Sequence, residues 1–118
     1  MTWQEVHKQG LIGQVEVMKR LIEKDYEVFL PAHAHCAFDL ISYKNGLFSR
    51  ISVKTTSRKQ GPSWLVGISQ KGMNNKNHKH FDQTKSDVLA VYIPKENRVK
   101  FLKTSEITNK TSISIKAL

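Results

Sequence analysis

Asp39 and Lys54 lie at the ends of two consecutive runs of strand-forming residues. The turn signal Asn45-Gly46 separates these runs, and a hairpin through it would bring the two side chains onto neighbouring strands. A carboxylate, helped by the main-chain carbonyl of Val53, can hold a hard divalent cation, and an ammonium group can orient a water or offset negative charge. This combination suits metal-assisted hydrolysis of a phosphodiester. Taken singly, each residue has a plainer interpretation: Asp39 as an acceptor for loop N–H groups, and Lys54 as a solvent-facing lysine on an edge strand.

The elements that would position this pair follow from hydrophobic patterning. A helix is predicted from Thr2 to about Lys24, and it begins with a capping box formed by Thr2 and Glu5. Val88 to Ile93 is almost entirely apolar, which is typical of a central strand buried on both faces. A short helical turn is expected at 104–106, and strands are predicted at 26–30, 37–43, 47–56, 64–69, 88–93 and 97–102. The pattern indicates an α/β fold in which helices pack on a sheet.

Length and composition restrict the class of protein. At 118 residues the chain is expected to form one domain spanning 1–118, and its formal net charge of +9 favours a polyanionic partner, most commonly nucleic acid. The single cysteine, Cys36, excludes an internal disulfide and fits a reducing compartment. No apolar run approaches the length of a membrane span. We therefore expect an intracellular protein, in the cytoplasm or nucleoid or in the cytoplasm of a phage-infected host, that does not bind membranes.

An ordered set of short motifs carries a resemblance to a known family. The motifs are Gly10-Leu11-Ile12-Gly13-Gln14, Asp25-Tyr26-Glu27-Val28, Pro31, Phe38-Asp39-Leu40-Ile41, Arg50-Ile51-Ser52-Val53-Lys54-Thr55 and the segment from Ser86 to Ile93. Together they resemble the PD-(D/E)xK nuclease superfamily over roughly residues 8–107. Within it the chain looks most like the small homing endonucleases of cyanobacterial group I introns, and more distantly like archaeal Holliday-junction resolvases. The resemblance implies an α/β restriction-endonuclease-like core with the order α-β-β-β-α-β: a helix, an antiparallel meander, a crossover helix and a further strand, in which helices flank a mixed sheet.

The resemblance also implies an activity, a cofactor and a site. It implies a DNA endonuclease that uses Mg²⁺, or Mn²⁺ as a substitute, on duplex or branched DNA. Asp39 would bind the metal and Lys54 would be the catalytic lysine, while the family's helix glutamate falls on Gln14 and the first position of its (E/Q)-x-K tripeptide falls on Ser52. Because duplex cleavage needs two sites, the hypothesis predicts a homodimer or homotetramer. Because the carboxylates are lost at positions 14 and 52, a catalytically weak or inactive DNA-binding module on the same fold is the alternative.

Other acids are candidates to replace the missing helix carboxylate. Glu16 is the nearest in sequence, but it groups with Lys19 and Arg20 on the polar face of the helix, which favours solvent exposure. Glu5 is better explained by the cap. Asp82 and Asp87 are further candidates, and Asp87 has the plainer interpretation of closing the turn before its strand.

Basic and polar residues between positions 58 and 80 are predicted to contact DNA phosphates, although a solvated loop is the plain alternative. They are Arg58, Lys59, Lys71, Lys76, Asn77, His78, Lys79 and His80. His33, His35 and Cys36, with His78 and His80, offer zinc ligands, but their spacing matches no common zinc motif. A subunit whose basic surface serves RNA binding or protein assembly is a third interpretation.

Overall fold

The chain begins with a helix, α1, from Trp3 to Glu23, in a computed structural model that describes residues 2–33, 35–71, 78–109 and 111–118. Thr2 caps it: the Thr2 hydroxyl accepts a hydrogen bond from the Glu5 N–H, and the Glu5 carboxylate accepts one from the Thr2 N–H at 2.8 Å. The predicted capping box is therefore confirmed, and it satisfies two backbone donors at the start of the helix.

A five-stranded mixed sheet follows, with the order β1-β2-β3-β8-β9. β3 and β8 are parallel, and the remaining neighbours are antiparallel. In the hairpin of β2 and β3, Leu40 lies opposite Ile51. The strands of this sheet are β1 (Glu27–Phe29), β2 (Leu40–Lys44), β3 (Leu47–Thr55), β8 (Val88–Ile93) and β9 (Arg98–Lys103).

The chain between β3 and β8, together with its C-terminal part, forms two small sheets. One has the order β10-β5-β4 and the other pairs β6 with β7. Short 3₁₀ turns occupy Pro94–Glu96 and Thr104–Glu106. The strands are β4 (Lys59–Gln60), β5 (Ser63–Gly67), β6 (Gln70–Lys71), β7 (His78–Lys79) and β10 (Ser112–Lys116).

Two apolar clusters cover the two faces of the main sheet. On one face Val17 and Leu21 of α1 pack with Leu40, Ile51 and Ala90. On the other face Trp64, Val66 and Ile68 pack against the alternate residues of β8, which are Leu89, Val91 and Ile93. β8 is consequently buried on both faces, which is the arrangement that its apolar run predicts.

The α/β class and the mixed sheet are confirmed, but short strands take the place of the crossover helix that the resemblance implies between β3 and β8. Among the described residues of that connection there are short strands and no α-helix. The physical reason is visible at Trp64, Val66 and Ile68, which are buried at every second position, the period of a strand. The small three-stranded sheet therefore provides the layer that a helix was expected to provide.

Two further differences concern where β2 begins and an additional strand, β10. β2 begins at Leu40, so Asp39 precedes the strand and does not lie within it. β10 pairs with β5 although the sequence analysis predicts no strand there. No helix in the described part of the chain is long and apolar enough to cross a membrane.

Candidate active site

Asp39 is held at the point where β2 begins. Its N–H donates to the carbonyl of Ile51 at 2.9 Å, and its Oδ2 accepts a hydrogen bond from the N–H of Val53 at 2.6 Å. The carboxylate therefore lies against the tripeptide that runs from Ser52 to Lys54. Because the N–H and C=O of one strand residue point to the same edge, the carbonyl of Val53 also faces this gap between the strands.

The first half of α1 forms the opposite wall of a cleft beside Asp39. The cleft has a volume of about 530 Å³ and is lined by Val6, His7, Gly10, Leu11, Gln14, Asp39 and Val53. A second cavity of about 450 Å³ adjoins it, and the loop before β2 lines it with Leu30, Pro31, Ala32, His33, Cys36 and Phe38. Gln14 and Asp39 line both cavities. The two residues therefore lie where the helix, β3 and the loop before β2 meet.

A close approach of α1 to β3 sets the position of Gln14. The backbone of Gly13 packs so closely on Thr55 that a Cβ at position 13 would overlap Thr55 Oγ1, and the ring of Tyr92 lies 3.7 Å from the same point. Only glycine allows this distance between helix and strand. The next residue, Gln14, is thereby brought to the end of β3, beside Asp39.

Ser52 and Lys54 occupy the other face of β3. Side chains alternate along a strand, and since Ile51, Val53 and Thr55 face α1, Ser52 and Lys54 point away from it. Both are half-buried, and neither lines the two cavities. The structure thus brings Asp39, Gln14 and the backbone of Val53 together. The side chains of Ser52 and Lys54 lie on the opposite face of β3.

The alternative acids are engaged elsewhere. Glu16 pairs with Arg20 at 3.6 Å and does not line the cleft. Asp82 accepts hydrogen bonds from the side chain and N–H of Thr84, which lower its pKa. Across the described ranges, no group of three or more His, Cys, Asp or Glu residues is arranged to hold a metal ion.

Asp87 joins the middle of β3 to the start of β8. Its carboxylate accepts hydrogen bonds from the Arg50 guanidinium at 3.0 and 3.2 Å and from the Arg50 N–H at 2.7 Å. These hydrogen bonds, of which the one from the Arg50 side chain has the largest effect, hold the pKa of Asp87 below its ordinary value. The side-chain hydrogen bond to Asp87 in turn raises the pKa of Arg50. Asp87 is therefore engaged with β3 immediately before β8, and it does not line the cleft.

His7 is a cleft residue that the sequence analysis does not identify. It lies seven residues, or about two helical turns, before Gln14, so both side chains lie on the same flank of α1. Its ring packs on that of Trp3, with 4.0 Å between the centroids. The seven-residue spacing to Gln14 is the sequence signal that could have identified it.

Six of the eight predicted DNA-contacting residues lie in or next to the small strands. Arg58, Lys59 and His80 are exposed, and the Lys59 ammonium lies 5.6 Å from the centre of the Trp64 ring. Lys71 is in β6, and His78 and Lys79 form β7. Lys76 and Asn77 lie outside the described residues.

Among the predicted zinc ligands, His33 and Cys36 are neighbours. The Cys36 sulfur lies 3.7 Å from Nε2 of the His33 ring, and both residues line the second cavity. The ring nitrogen Nδ1 of His33 accepts a hydrogen bond from the N–H of His35.

Comparison with known proteins identifies the family. A family model described as PD-(D/E)XK endonuclease matches residues 4–117, nearly the whole chain. The chain belongs to the PD-(D/E)XK endonuclease family. The resemblance carried by its ordered motifs is thus confirmed.

A solved structure agrees with this assignment. The bacterial homing endonuclease I-Ssp6803I matches with a TM-score of 0.83 and 16% sequence identity, over 95% of this chain and 78% of that one. At this identity the match shows a shared fold. No curated protein matches the chain.

Nucleases of this family typically use a divalent metal, and the oxygen atoms around the cleft fit one. The Asp39 carboxylate, the Gln14 side-chain carbonyl and the Val53 main-chain carbonyl are hard oxygen ligands of the kind that Mg²⁺ prefers. Mg²⁺ is commonly held by one or two carboxylates and keeps several waters, so a single carboxylate is compatible with binding. A single carboxylate also predicts a lower metal affinity than a site with two or three acids would have.

Proposed function

We propose that this PD-(D/E)XK endonuclease is a DNA endonuclease that hydrolyses phosphodiester bonds with Mg²⁺, or with Mn²⁺ as a substitute. Cleavage would be of the homing-endonuclease type on duplex DNA or of the Holliday-junction-resolvase type on branched DNA. The observation that carries the proposal is the hydrogen bond from the Val53 N–H to Asp39, which joins the predicted metal ligand to the Ser52–Lys54 tripeptide. The net charge of +9 supports a polyanionic substrate.

Each residue of the site has a proposed role. Asp39 and the carbonyl of Val53 would hold the cation, which, when bound, polarises the phosphate and lowers the pKa of a water. Gln14 would orient a water or bind through its side-chain oxygen, and Ser52 would act through a water because its side chain is short. Lys54 would offset charge on the phosphate, reaching past β3 on its flexible four-carbon stem.

Glu16 remains a weaker candidate for a metal ligand. Its carboxylate pairs with Arg20 at 3.6 Å, so it would bind a metal only after that ion pair separates. Arg20 in turn donates to the carbonyl of Asn97, which keeps the guanidinium on that side of the helix.

The proposed substrate contacts come from the segment of the chain between β3 and β8. Arg58, Lys59, Lys71, Lys76, Asn77, His78, Lys79 and His80 are proposed to bind DNA phosphates. Since one small subunit offers one cleft, cutting both strands of a duplex would need a homodimer or homotetramer.

Nicking of supercoiled plasmid tests the proposal most directly. Wild type should nick with Mg²⁺ or Mn²⁺, and both Asp39→Asn and Lys54→Ala should abolish nicking. Asparagine keeps an acceptor for the Val53 N–H, so Asp39→Asn removes the charge while retaining the hydrogen bond. Lys100→Ala is the matched control, because this exposed lysine on β9 lies outside the cleft and carries the same charge. Cleavage that persists in Asp39→Asn would refute the assigned site.

A DNA-binding module with little or no cleavage is the second candidate. The observation that favours it is that Asp39 is the only carboxylate lining the cleft within the described residues. Gln14→Glu combined with Ser52→Glu separates the two functions, because it restores the family's acids. Cleavage that appears only in this double variant would make the natural protein a binder, whereas metal-dependent cleavage by wild type would eliminate the candidate.

A further inference from the structure

The first half of α1 extends beyond the sheet. Residues 2–12 are all exposed, whereas Gly13 and Val17, further along the same helix, are buried. Gly10 lies on the buried face, seven residues before Val17, yet no atom of the described residues lies within 4 Å of the point that a Cβ would occupy there. The sheet therefore packs against the second half of α1, and the first half forms one wall of the cleft beside Asp39.

Trp3 and His7 form an aromatic pair on this wall. His7 lines the cleft, and its ring packs on that of Trp3 with 4.0 Å between the centroids and 51° between the planes. Trp3 lies eleven residues, or about three turns, before Gln14, so both lie on the face of α1 that borders the cleft. Trp3 is nevertheless 73% exposed. The contact with His7 therefore covers part of the indole and leaves an aromatic surface open at the mouth of the cleft.

The cleft has two chemically different ends. At one end, the Asp39 carboxylate and the Val53 carbonyl are the oxygens proposed to hold the metal beside the scissile phosphate. At the other end are the aromatic pair and Val6, which is 54% exposed. His7 lies about 10 Å from Gln14 along the helix axis, at roughly 1.5 Å per residue. A sugar and its base fit this distance from the phosphate, so a bound strand would bring a base against the pair.

The chemistry of this end suits a base better than a phosphate. Phosphates are bound mainly by Arg, Lys and polar side chains and by backbone N–H groups. Lys8 is the next residue after His7, but it lies about 100° further around the helix. The Glu5 carboxylate, which accepts a hydrogen bond from the Thr2 N–H, places a negative charge at the start of α1. An uncharged, flat base is therefore the part of a DNA strand that matches the exposed indole of Trp3.

We propose that Trp3 and His7 form a subsite for an unpaired base, so that the protein prefers DNA in which a base near the cleaved bond is unstacked. In an intact duplex the neighbouring base pairs cover both faces of each base. A base at a bulge or in a single-stranded flap has a free face on which an aromatic ring can stack. Because every base has such a face, the subsite would recognise the structure of the DNA with little regard to its sequence.

Tryptophan fluorescence detects such stacking directly. The chain has two tryptophans, and Trp64 is only 4% exposed, so a DNA-dependent change in emission reports on Trp3. The subsite rests on the proposed function, since it requires a DNA strand in the cleft, but binding in the presence of a metal chelator is measured without cleavage. A duplex with one central unpaired base, or with a single-stranded flap, should quench the emission of wild type. The fully paired duplex should leave it unchanged, and Trp3→Phe should lose the quenching.

Band-shift titrations of the same DNAs measure the preference. Wild type should bind the bulged and flapped DNAs about 5- to 100-fold more tightly than the paired duplex, which is the effect of stacking one base on an aromatic ring. An abasic site at the bulge should remove this preference, as should Trp3→Ala, whereas Trp3→Phe should retain most of it. Phe48→Ala is the matched control and should keep the preference, because Phe48 is 62% exposed on the β2–β3 hairpin and does not line the cleft.

The subsite and the proposed function can fail separately. Equal affinity of wild type for paired and unpaired DNA would overturn the subsite, and so would a preference that survives in Trp3→Ala. Equal quenching by the paired duplex would place Trp3 against the outside of a duplex and would also overturn it. Metal-dependent nicking of plasmid by a protein without the preference would refute the subsite alone, whereas failure to bind any of the DNAs would refute it together with the proposed function.

Discussion

Replacing Gly13 with alanine tests how closely α1 must approach β3. A Cβ at this position would overlap Thr55 Oγ1, and it would also lie 3.6 Å from Thr55 Cβ and 3.7 Å from Tyr92 Cδ2. The helix or the strand must therefore shift to admit it. Gly10→Ala is the matched control, because nothing lies within 4 Å of the corresponding Cβ.

Two opposing effects set the magnitude. An alanine inside a helix is favoured over glycine by about 1 kcal/mol, so Gly10→Ala should stabilise the protein by about that amount. Gly13→Ala has the same gain, but overpacking costs about 1–3 kcal/mol. Gly13→Ala should therefore be about 1–3 kcal/mol less stable than Gly10→Ala.

Urea unfolding followed by circular dichroism measures the difference. With a slope of about 1–3 kcal/mol per M, the two midpoints should differ by roughly 1 M. Thr55→Ala should rescue Gly13→Ala, because it removes the overlapping oxygen and leaves a methyl carbon at an ordinary contact distance. Equal stabilisation by Gly10→Ala and Gly13→Ala, or no rescue by Thr55→Ala, would refute the close approach.

Four further predictions concern charge, metal, DNA and core. Because Arg50 holds the pKa of Asp87 below 3.8, the ion pair stabilises the fold above about pH 4 and loses this effect as the pH falls through the lowered pKa. Asp87→Asn should therefore be less stable than wild type in thermal melts at pH 7, and the difference should vanish in acid. Gln14→Glu should lower the Mg²⁺ concentration for half-maximal nicking, since it adds a carboxylate beside Asp39; an unchanged titration would remove position 14 from the site. Arg58→Ala should reduce the slope of log K against log salt by about one in band-shift titrations, and an unchanged slope would mean that Arg58 contacts no phosphate. Ile68→Ala should cost about 2–5 kcal/mol in urea unfolding because Ile68 is fully buried, whereas a loss below 1 kcal/mol would contradict its packing against β8.

Local sequence signals predicted the elements that depend on neighbouring residues. Thr2 and Glu5 predicted the helix start, Asn45-Gly46 predicted the β2–β3 hairpin, and the apolar run from Val88 to Ile93 predicted the central strand. Each is a contact between nearby residues or a simple burial pattern. In the connection between β3 and β8 the strand predicted at 64–69 is observed as β5, but its pairing with β10 was not predictable in this way, because β10 lies more than forty residues further along the chain.

The sequence by itself determined the class of fold, the family and the residues at the ends of β2 and β3. Those conclusions depend on residue types, their order and their spacing, which a sequence states directly. Only the tertiary structure decided that Gln14 and Asp39 line one cleft, that His7 shares it, and that Ser52 lies across the strand. The physical reason is that these relations depend on the distance between α1 and β3, which is set by the contact of Gly13 with Thr55, and on the side of the sheet that each side chain faces.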